Sequence, residues 1–226
     1  RVPAVVCYEG KSYPALAIAG LSAATGSQPI IKAAPGLMQS GQVLDVAGLQ
    51  IPVDAKGQLR VSYQMPRSGF VSVSAVDVIQ GKVPANMLKG TWALVGSTAF
   101  GGGDAVPTPQ GGAVGGVEVH AQILSAALDS RTPYAPAWAP LWPLATGALA
   151  LLVLIFSIKA SGPKAAVVVP AVALASGAVI FGAHAALLLG AHQWLGWGQP
   201  ALFVALAAAL LTAAEMLRVR AERESL

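Results

Sequence analysis

The run Leu149-Ala150-Leu151-Leu152-Val153-Leu154-Ile155-Phe156 decides how the chain is built, because none of its side chains is polar. It lies inside an apolar stretch at about 141–158, and two more such stretches follow at about 165–189 and 197–217. Each supplies roughly the 20 apolar residues that a helix needs to cross a hydrocarbon layer of about 30 Å. Three apolar helices in succession, none with a polar face, are typical of a membrane bundle rather than of a soluble core.

The charged residues divide the chain into two parts that suit two different solvents. Only 11% of its 226 residues are charged, whereas a soluble domain usually carries about a quarter. Residues 1–140 hold nine Lys or Arg and seven Asp or Glu, but residues 141–212 hold only two lysines. We therefore expect a water-soluble domain over 1–138 and a membrane part, embedded in a lipid bilayer, over 139–217.

The loop charges predict how the three helices are oriented. The first loop, 159–164, has a lysine at each end, and the tail, 218–226, carries three arginines. The second loop, 190–200, has two tryptophans and no Lys or Arg. The positive-inside rule places the first loop and the tail in the cytoplasm. Residues 1–138 then lie outside, and the tail begins a cytoplasmic helix that we expect to lead into a further module.

Small residues recur at every fourth position along the second apolar stretch: Ala178, Gly182, Ala186 and Gly190. This small-residue stripe would let another helix approach closely, for example in a homodimer. A chance origin in an alanine-rich helix explains the pattern equally well.

His184 is an ionisable side chain inside the second apolar stretch. Such residues are functional candidates by default. The simpler interpretation is a neutral imidazole bonded to a neighbouring helix near the outer interface, because no second ionisable residue is present for a proton relay.

The first 138 residues have the pattern of an α/β domain with a mixed sheet and flanking helices. Apolar spacing predicts one helix over 12–25 and another from Val117 to about Ser130. Short alternating runs on either side of Ala47-Gly48 predict a β-hairpin over 43–53. The run 91–96 predicts a buried strand.

A glycine-rich loop joins the predicted strand 91–96 to the helix at Val117, an arrangement typical of ligand-facing edges in α/β domains. The polar residues along it are the candidates for ligand binding or for shaping the loop: Ser97, Asp104, Thr108, Glu118 and His120. The simplest interpretation is that Asp104 and Thr108 hydrogen-bond the backbone of their own loop.

Several other functions are excluded or disfavoured, and no cofactor is expected. The loop lacks both the Lys-Ser/Thr ending of a phosphate-binding loop and a dinucleotide fingerprint. Ser97, His120 and Asp104 have no Gly-x-Ser-x-Gly elbow around them, so a catalytic triad is disfavoured. Glu118 and His120 would point about 200° apart on a helix, which argues against a metal site. A lone Cys7 allows no internal disulfide, and the scattered basic residues argue against nucleic acid.

Short motifs follow one another through the first part of the chain: Ser12-Tyr13-Pro14, Ile51-Pro52-Val53-Asp54, Val73-Ser74-Ala75-Val76-Asp77-Val78-Ile79, Leu88-Lys89-Gly90, Leu94-Val95-Gly96-Ser97, Asp104, Thr108-Pro109 and Gly116-Val117-Glu118-Val119-His120. In this order, and with three apolar helices after them, they resemble the type 2 CHASE (CHASE2) domain. That domain is an extracytoplasmic sensor of bacterial receptors. The chain departs from the family's pattern in its extra glycines and in Trp92, where a basic residue is usual.

The resemblance implies a bacterial inner-membrane receptor whose earlier anchor helix and first half-domain precede Arg1. It implies an output module after Leu226, most often a class III adenylate or guanylate cyclase and sometimes a histidine or serine/threonine kinase. The segment itself is then not an enzyme, acts as a dimer, and responds to an unidentified extracytoplasmic ligand or protein. An alternative is an accessory membrane subunit that binds a partner protein and has no output activity.

Overall fold

A computed structural model describes residues 1–97 and 105–224, with the backbone alone at 163, 222 and 223. The chain divides into two compact units. The first, the N-terminal domain, comprises Arg1–Ala33 and Gln42–Thr132. The second, the helical unit, comprises Pro133–Leu226 together with the short segment Ala34–Gly41.

The strands of the first part are short and lie in four small sheets. They are β1 (Val2–Pro3), β2 (Val5–Tyr8), β3 (Lys11–Pro14), β4 (Ile30–Ala34), β5 (Gly41–Val46), β6 (Leu49–Val53), β7 (Gln58–Leu59), β8 (Ala105–Pro107) and β9 (Ala113–Gly115). The sheets pair β1 with β7, β2 with β3 and β8 with β9, and the largest has the order β4-β5-β6.

Four helices accompany these strands: α1 (Leu16–Thr25), α2 (Ala75–Ile79), α3 (Ala85–Leu88) and α4 (Gly116–Leu128). Small β-sheets with helices therefore make up the N-terminal part, which confirms the predicted α/β class.

The predicted hairpin is present as the antiparallel pair β5–β6, with Val46 opposite Leu49. Its two turn residues, Ala47 and Gly48, both have positive φ values, 54° and 88°. This is the backbone that two-residue hairpin turns require. The Asp45 carboxylate accepts a hydrogen bond of 3.0 Å from the Gly48 amide and fixes the turn further.

The core of the N-terminal domain forms where α1 and α4 meet β5 and β6. Its least exposed large side chains are Ile18, Leu44, Ile51 and Leu59, each at most 1% exposed. From α4 come Val119, Ile123 and Leu124, whose spacing places them on one face of the helix. Because α4 begins at Gly116, this packing also fixes where the first turn of α4 points.

Two details of the predicted secondary structure were wrong. The first helix begins at Leu16 rather than Ser12, because Lys11–Pro14 pairs with Val5–Tyr8 as a hairpin. Pro14 explains the difference, since a proline disfavours the helical conformation in the residue before it. The predicted buried strand 91–96 is not a strand, and Val95 is 87% exposed. Short apolar runs do not reveal from periodicity alone whether a partner strand is present.

The helical unit contains three long helices: α5 (Trp142–Ser161), α6 (Ala165–Ala191) and α7 (Gly198–Glu224). Their apolar spans, 139–161, 165–191 and 198–221, have 23, 27 and 24 residues. At about 1.5 Å per residue each is long enough to cross a bilayer of about 30 Å. The prediction of three helices long and apolar enough to span a membrane is thus confirmed.

Small residues bring α5 and α7 close together. A Cβ on Gly147 would lie 3.3 Å from Cδ1 of Phe203, which is tighter than ordinary contact. The buried core of the three helices consists mostly of small or branched side chains: Ala150, Leu154, Ala165, Val169, Ile180, Val204 and Ala208. Most other large apolar side chains of the three helices are exposed, as lipid-facing positions are in a membrane bundle.

Candidate functional site

The hairpin β8–β9 leads directly into α4 and sets the position of the candidate site. Val106 pairs with Val114, and Val114 is buried in the domain core. The turn between the strands is closed by backbone hydrogen bonds, from the Thr108 amide to the Gly112 carbonyl and from the Gly111 amide to the Thr108 carbonyl. Thr108 therefore shapes the turn through its backbone, whereas we had expected its hydroxyl to do so.

Glu118 lies in the first turn of α4 and binds Arg67 with both carboxylate oxygens. The Arg67 Nε–H and Nη2–H groups donate hydrogen bonds of 2.8 Å each. A two-point pair of this kind fixes the plane of the guanidinium as well as its position. The carboxylate also lies at the positive end of the helix dipole, which stabilises its charge.

Two glutamine side chains hold the chain segment just before Arg67. Gln110 donates to the carbonyls of Tyr63 and Met65, at 2.9 and 2.7 Å. Gln122, one turn along α4 from Glu118, donates to the same Met65 carbonyl at 2.7 Å. The segment 63–67 is thus fastened to both the β8–β9 turn and α4.

Together these side chains enclose a small polar cleft. It is lined by Tyr63, Arg67, Phe70, Thr108, Gln110, Val114, Glu118, Val119 and Gln122. The cleft has a volume of about 10 Å³, which is room for about one water molecule. Within the described part of the chain, the shielded Thr108 hydroxyl has no hydrogen-bond partner.

The structure brings together only some of the residues that the sequence suggested. Thr108 and Glu118 line the same cleft, but His120 does not, in keeping with its position two residues further along α4. Ser97 is exposed. Its carbonyl oxygen lies close to the residue before α4, because a Cβ added to Gly115 would be 3.0 Å from it. Asp104 lies outside the described residues.

Three side chains that form hydrogen bonds in the cleft were not predicted: Arg67, Gln110 and Gln122. Gln122 had a usable signal, because it follows Glu118 by four residues and so shares its helix face. Arg67 had none, since 51 residues separate it from Glu118.

The described side chains of the cleft include hydrogen-bonding groups and one pair of opposite charges. Among the residues that the structure describes, no three His, Cys, Asp or Glu side chains come together. The chemistry that the cleft offers is reversible binding: opening the Arg67–Glu118 pair would release one cation and one anion for other partners.

Two carboxylates at turns of the N-terminal domain have lowered pKa values. The pKa of Asp45 is lowered by the hydrogen bond from Lys32 and by the Gly48 amide. Burial raises the pKa of Asp54, but the Gln58 and Lys56 amides outweigh it, so that the pKa ends below its usual range. Arg60, nearby in sequence, has its own pKa lowered to about 10, chiefly by burial.

The small-residue stripe of α6 is not used within the chain. Ala178, Gly182, Ala186 and Gly190 are all exposed. No described atom lies within 4 Å of a Cβ built on Gly182 or on Gly190. The stripe is therefore open to lipid or to another helix.

His184 lies in a group of aromatic rings at one end of α6. Its side chain is buried, and its ring centroid lies 4.9 Å from that of Trp194, at an interplanar angle of 82°. Phe181, one turn earlier, packs edge-on against Trp197 at 5.2 Å. Both tryptophans belong to the connection between α6 and α7, so the rings join that connection to the helix.

Comparison with known proteins gives one match. A family model described as the CHASE2 domain matches residues 1–160, whereas no curated protein and no solved structure matches the chain significantly. The matched region covers the N-terminal domain, including the cleft, and extends into the first long apolar helix. Both the motifs and the following helices agree with this match. The chain belongs to the CHASE2 family and is a non-catalytic sensor domain followed by three candidate membrane helices.

Proposed function

We propose that the chain is the sensory and transmembrane part of a bacterial receptor that controls a cytoplasmic output module, most often a class III adenylate or guanylate cyclase. An extracytoplasmic signal would favour one of two arrangements of the N-terminal domain. The three helices would carry that preference across the inner membrane. Such a signal acts only if it binds the two arrangements with different affinity.

The observation that carries this proposal is the continuity of α7. The helix runs from Gly198 to Glu224 without a break. The helix therefore includes the apolar span and the first charged residues of the tail, Arg218 and Arg220. The Nη1 atom of Arg218 lies 3.8 Å from the Oε2 atom of Glu215, which is one turn earlier. A continuous helix transmits rotation or displacement directly, as a link from a membrane span to a cytoplasmic module must.

The orientation in this proposal follows from the loop charges. With lysines in the first loop and arginines in the tail, the N-terminal domain is extracytoplasmic and the end of α7 is cytoplasmic. The polar cleft then faces the side from which the signal comes. Its closed state, held by Arg67 and Glu118, suits one arrangement, and a ligand or protein partner that separates this pair would favour the other.

A dimer through the small-residue stripe completes the proposal. The resemblance to CHASE2 receptors implies a dimer, in which the two tails would lie together. The stripe is exposed, and small residues at this spacing allow helix axes to approach closely.

The test is an activity assay on the native gene product, purified in lipid nanodiscs. We expect conversion of ATP or GTP to the cyclic nucleotide, and no product from residues 1–226 alone as the matched control. If the protein transfers phosphate from ATP instead, the receptor proposal stands, but its output module is a kinase and not a cyclase. If the protein shows neither cyclase nor kinase activity, the receptor proposal is contradicted and the accessory subunit is favoured.

A further inference from the structure

We propose that residues 34–41, the connection between β4 and β5 with one strand residue at each end, form a clasp that couples the N-terminal domain to the ends of the three apolar helices. The chain leaves the N-terminal domain after Ala33 and rejoins it at Gln42. Between these points it belongs to the helical unit. The strands on either side, β4 and β5, are neighbours in the largest sheet, and β5 contributes Leu44 and Val46 to the core.

The clasp is held to the segment before α5 by two hydrogen bonds. The Tyr134 hydroxyl donates to the Met38 carbonyl at 2.9 Å. The Ala137 amide donates to the Gln39 carbonyl at 2.8 Å. Within the clasp, the Gln39 amide bonds the Gly36 carbonyl at 3.1 Å, which keeps it folded as a turn.

Tyr134 also binds the connection between α6 and α7. Its amide donates to the His192 carbonyl at 2.9 Å, and its carbonyl accepts from the Trp194 amide at 2.6 Å. His192 ends α6 in a left-handed conformation, and Trp194 precedes α7. One residue thus joins the clasp, the approach to α5, the end of α6 and the approach to α7.

The clasp depends on polar contacts rather than on apolar burial. Leu37 and Met38 are 75% and 64% exposed, so their side chains contribute little to holding it. Contacts of this kind open at low cost compared with a buried core. The clasp is covalently continuous with the largest sheet and is hydrogen-bonded to Tyr134, which itself bonds His192 and Trp194. This arrangement is suited to passing a shift of the sheet to the helices.

This inference rests on the proposed sensory function, but its first test does not. A backbone hydrogen bond of 2.8 Å between Ala137 and Gln39 brings their Cα atoms to within about 6 Å, a distance that a disulfide spans. In a Cys7→Ser background, Gln39→Cys with Ala137→Cys should form an intramolecular disulfide under mild oxidation in membranes. The two single-cysteine variants are the controls. No disulfide, or one only between copies, would overturn the clasp.

The second test measures coupling by hydrogen exchange on the full chain in nanodiscs. Tyr134→Phe removes only the hydroxyl, and should speed exchange of the Gln39 and Ala137 amides about two- to tenfold. Tyr8→Phe, at an exposed tyrosine of β2, should leave them unchanged. Equal rates in wild type and Tyr134→Phe would overturn the role of Tyr134.

Destabilising the β4-β5-β6 sheet should also speed hydrogen exchange at the helix ends, and this effect should pass through Tyr134. Leu44→Ala in β5 should speed exchange at Ala137 and Trp194 at least twofold, and Tyr134→Phe should weaken that response, because it removes the hydroxyl bond to the clasp and keeps the Tyr134 backbone bonds. Ile51→Val, opposite Leu44 in β6, is the milder variant if Leu44→Ala does not fold. No response to either core change would contradict the clasp. A response in these assays without any change in output of the native receptor would keep the clasp and reject the sensory function.

Discussion

Arg67 and Glu118, 51 residues apart in the sequence, are joined by two hydrogen bonds of 2.8 Å. The pair closes the polar cleft and ties the segment 63–67 to the first turn of α4. The two side chains are 53% and 29% exposed, so water competes for both. Because exposed ion pairs contribute little stability, a ligand can separate this pair at low cost.

Breaking this pair should lower the free energy of unfolding of the N-terminal domain by only about 0.5–1 kcal/mol, because exposed ion pairs contribute little. The measurement is pulse proteolysis in urea on the full chain, with Arg67→Ala, Glu118→Ala and the double variant. Lys82→Ala with Asp77→Ala is the matched control, since that pair is more exposed and 3.8 Å apart. A coupling energy no larger for Arg67–Glu118 than for Lys82–Asp77 would show that the cleft is closed by other contacts.

Two glycines of the N-terminal domain should respond to alanine with opposite signs. A Cβ on Gly96 would lie 2.5 Å from the Cβ of Val117, so Gly96→Ala should destabilise the domain by about 1–3 kcal/mol. A Cβ on Gly20, inside α1, meets only Trp92 at 3.8 Å, so Gly20→Ala should stabilise it by about 0.5–1 kcal/mol. The same proteolysis assay measures both. If Gly96→Ala is neutral, the segment 94–97 does not lie against the start of α4.

Acid should destabilise the N-terminal domain through Asp45 and Asp54. Their folded-state pKa values are lowered from the usual 3.8, so their contribution is fully present above the unfolded-state pKa and is lost as the pH falls through the lower folded-state values. The free energy of unfolding should therefore decline as the pH falls below about 5. Asp54→Asn, which retains the Oδ1 acceptor, should flatten this decline.

The control for the pH series is Asp129→Asn, which removes one charge at the exposed end of α4. Its curve is the reference for the loss of one carboxylate from the domain. A decline that is equally steep in Asp54→Asn and wild type would show that other groups govern the acid response.

Substituting leucine for each of two glycines distinguishes helix packing within one chain from helix packing between two copies. Gly147→Leu should loosen α5 from α7, because Phe203 occupies the space that the new side chain needs. Gly182→Leu should leave the single-chain bundle intact, because its Cβ direction is open, but should reduce dimer crosslinking in membranes. Thermal stability in detergent measures the first effect. Unchanged crosslinking of Gly182→Leu would reject the small-residue stripe as a dimer face.

Local patterns predicted the elements that depend on local chemistry. Apolar length predicted the three long helices, and Ala47-Gly48 predicted the β5–β6 hairpin, because its turn needs positive φ at both positions. The helix after the glycine-rich loop begins at Gly116, one residue from the predicted start.

Long-range contacts were not predictable in this way. Arg67 gave no sign in the sequence of its pairing with Glu118. Nothing in residues 34–41 indicated that a connection between two strands would belong to the helical unit. The run 91–96 has the composition of a strand, but a strand also needs a neighbour to pair with, and composition does not report that.

Labelling of the single cysteine tests the central claim, a sensor domain outside and a helix end inside the membrane, most directly. Cys7 is exposed on the N-terminal domain. A membrane-impermeant maleimide should label it in intact cells, whereas Cys7→Ser with Ala221→Cys should be labelled only after the membrane is opened. Labelling of Ala221→Cys but not of Cys7 in intact cells would contradict the account.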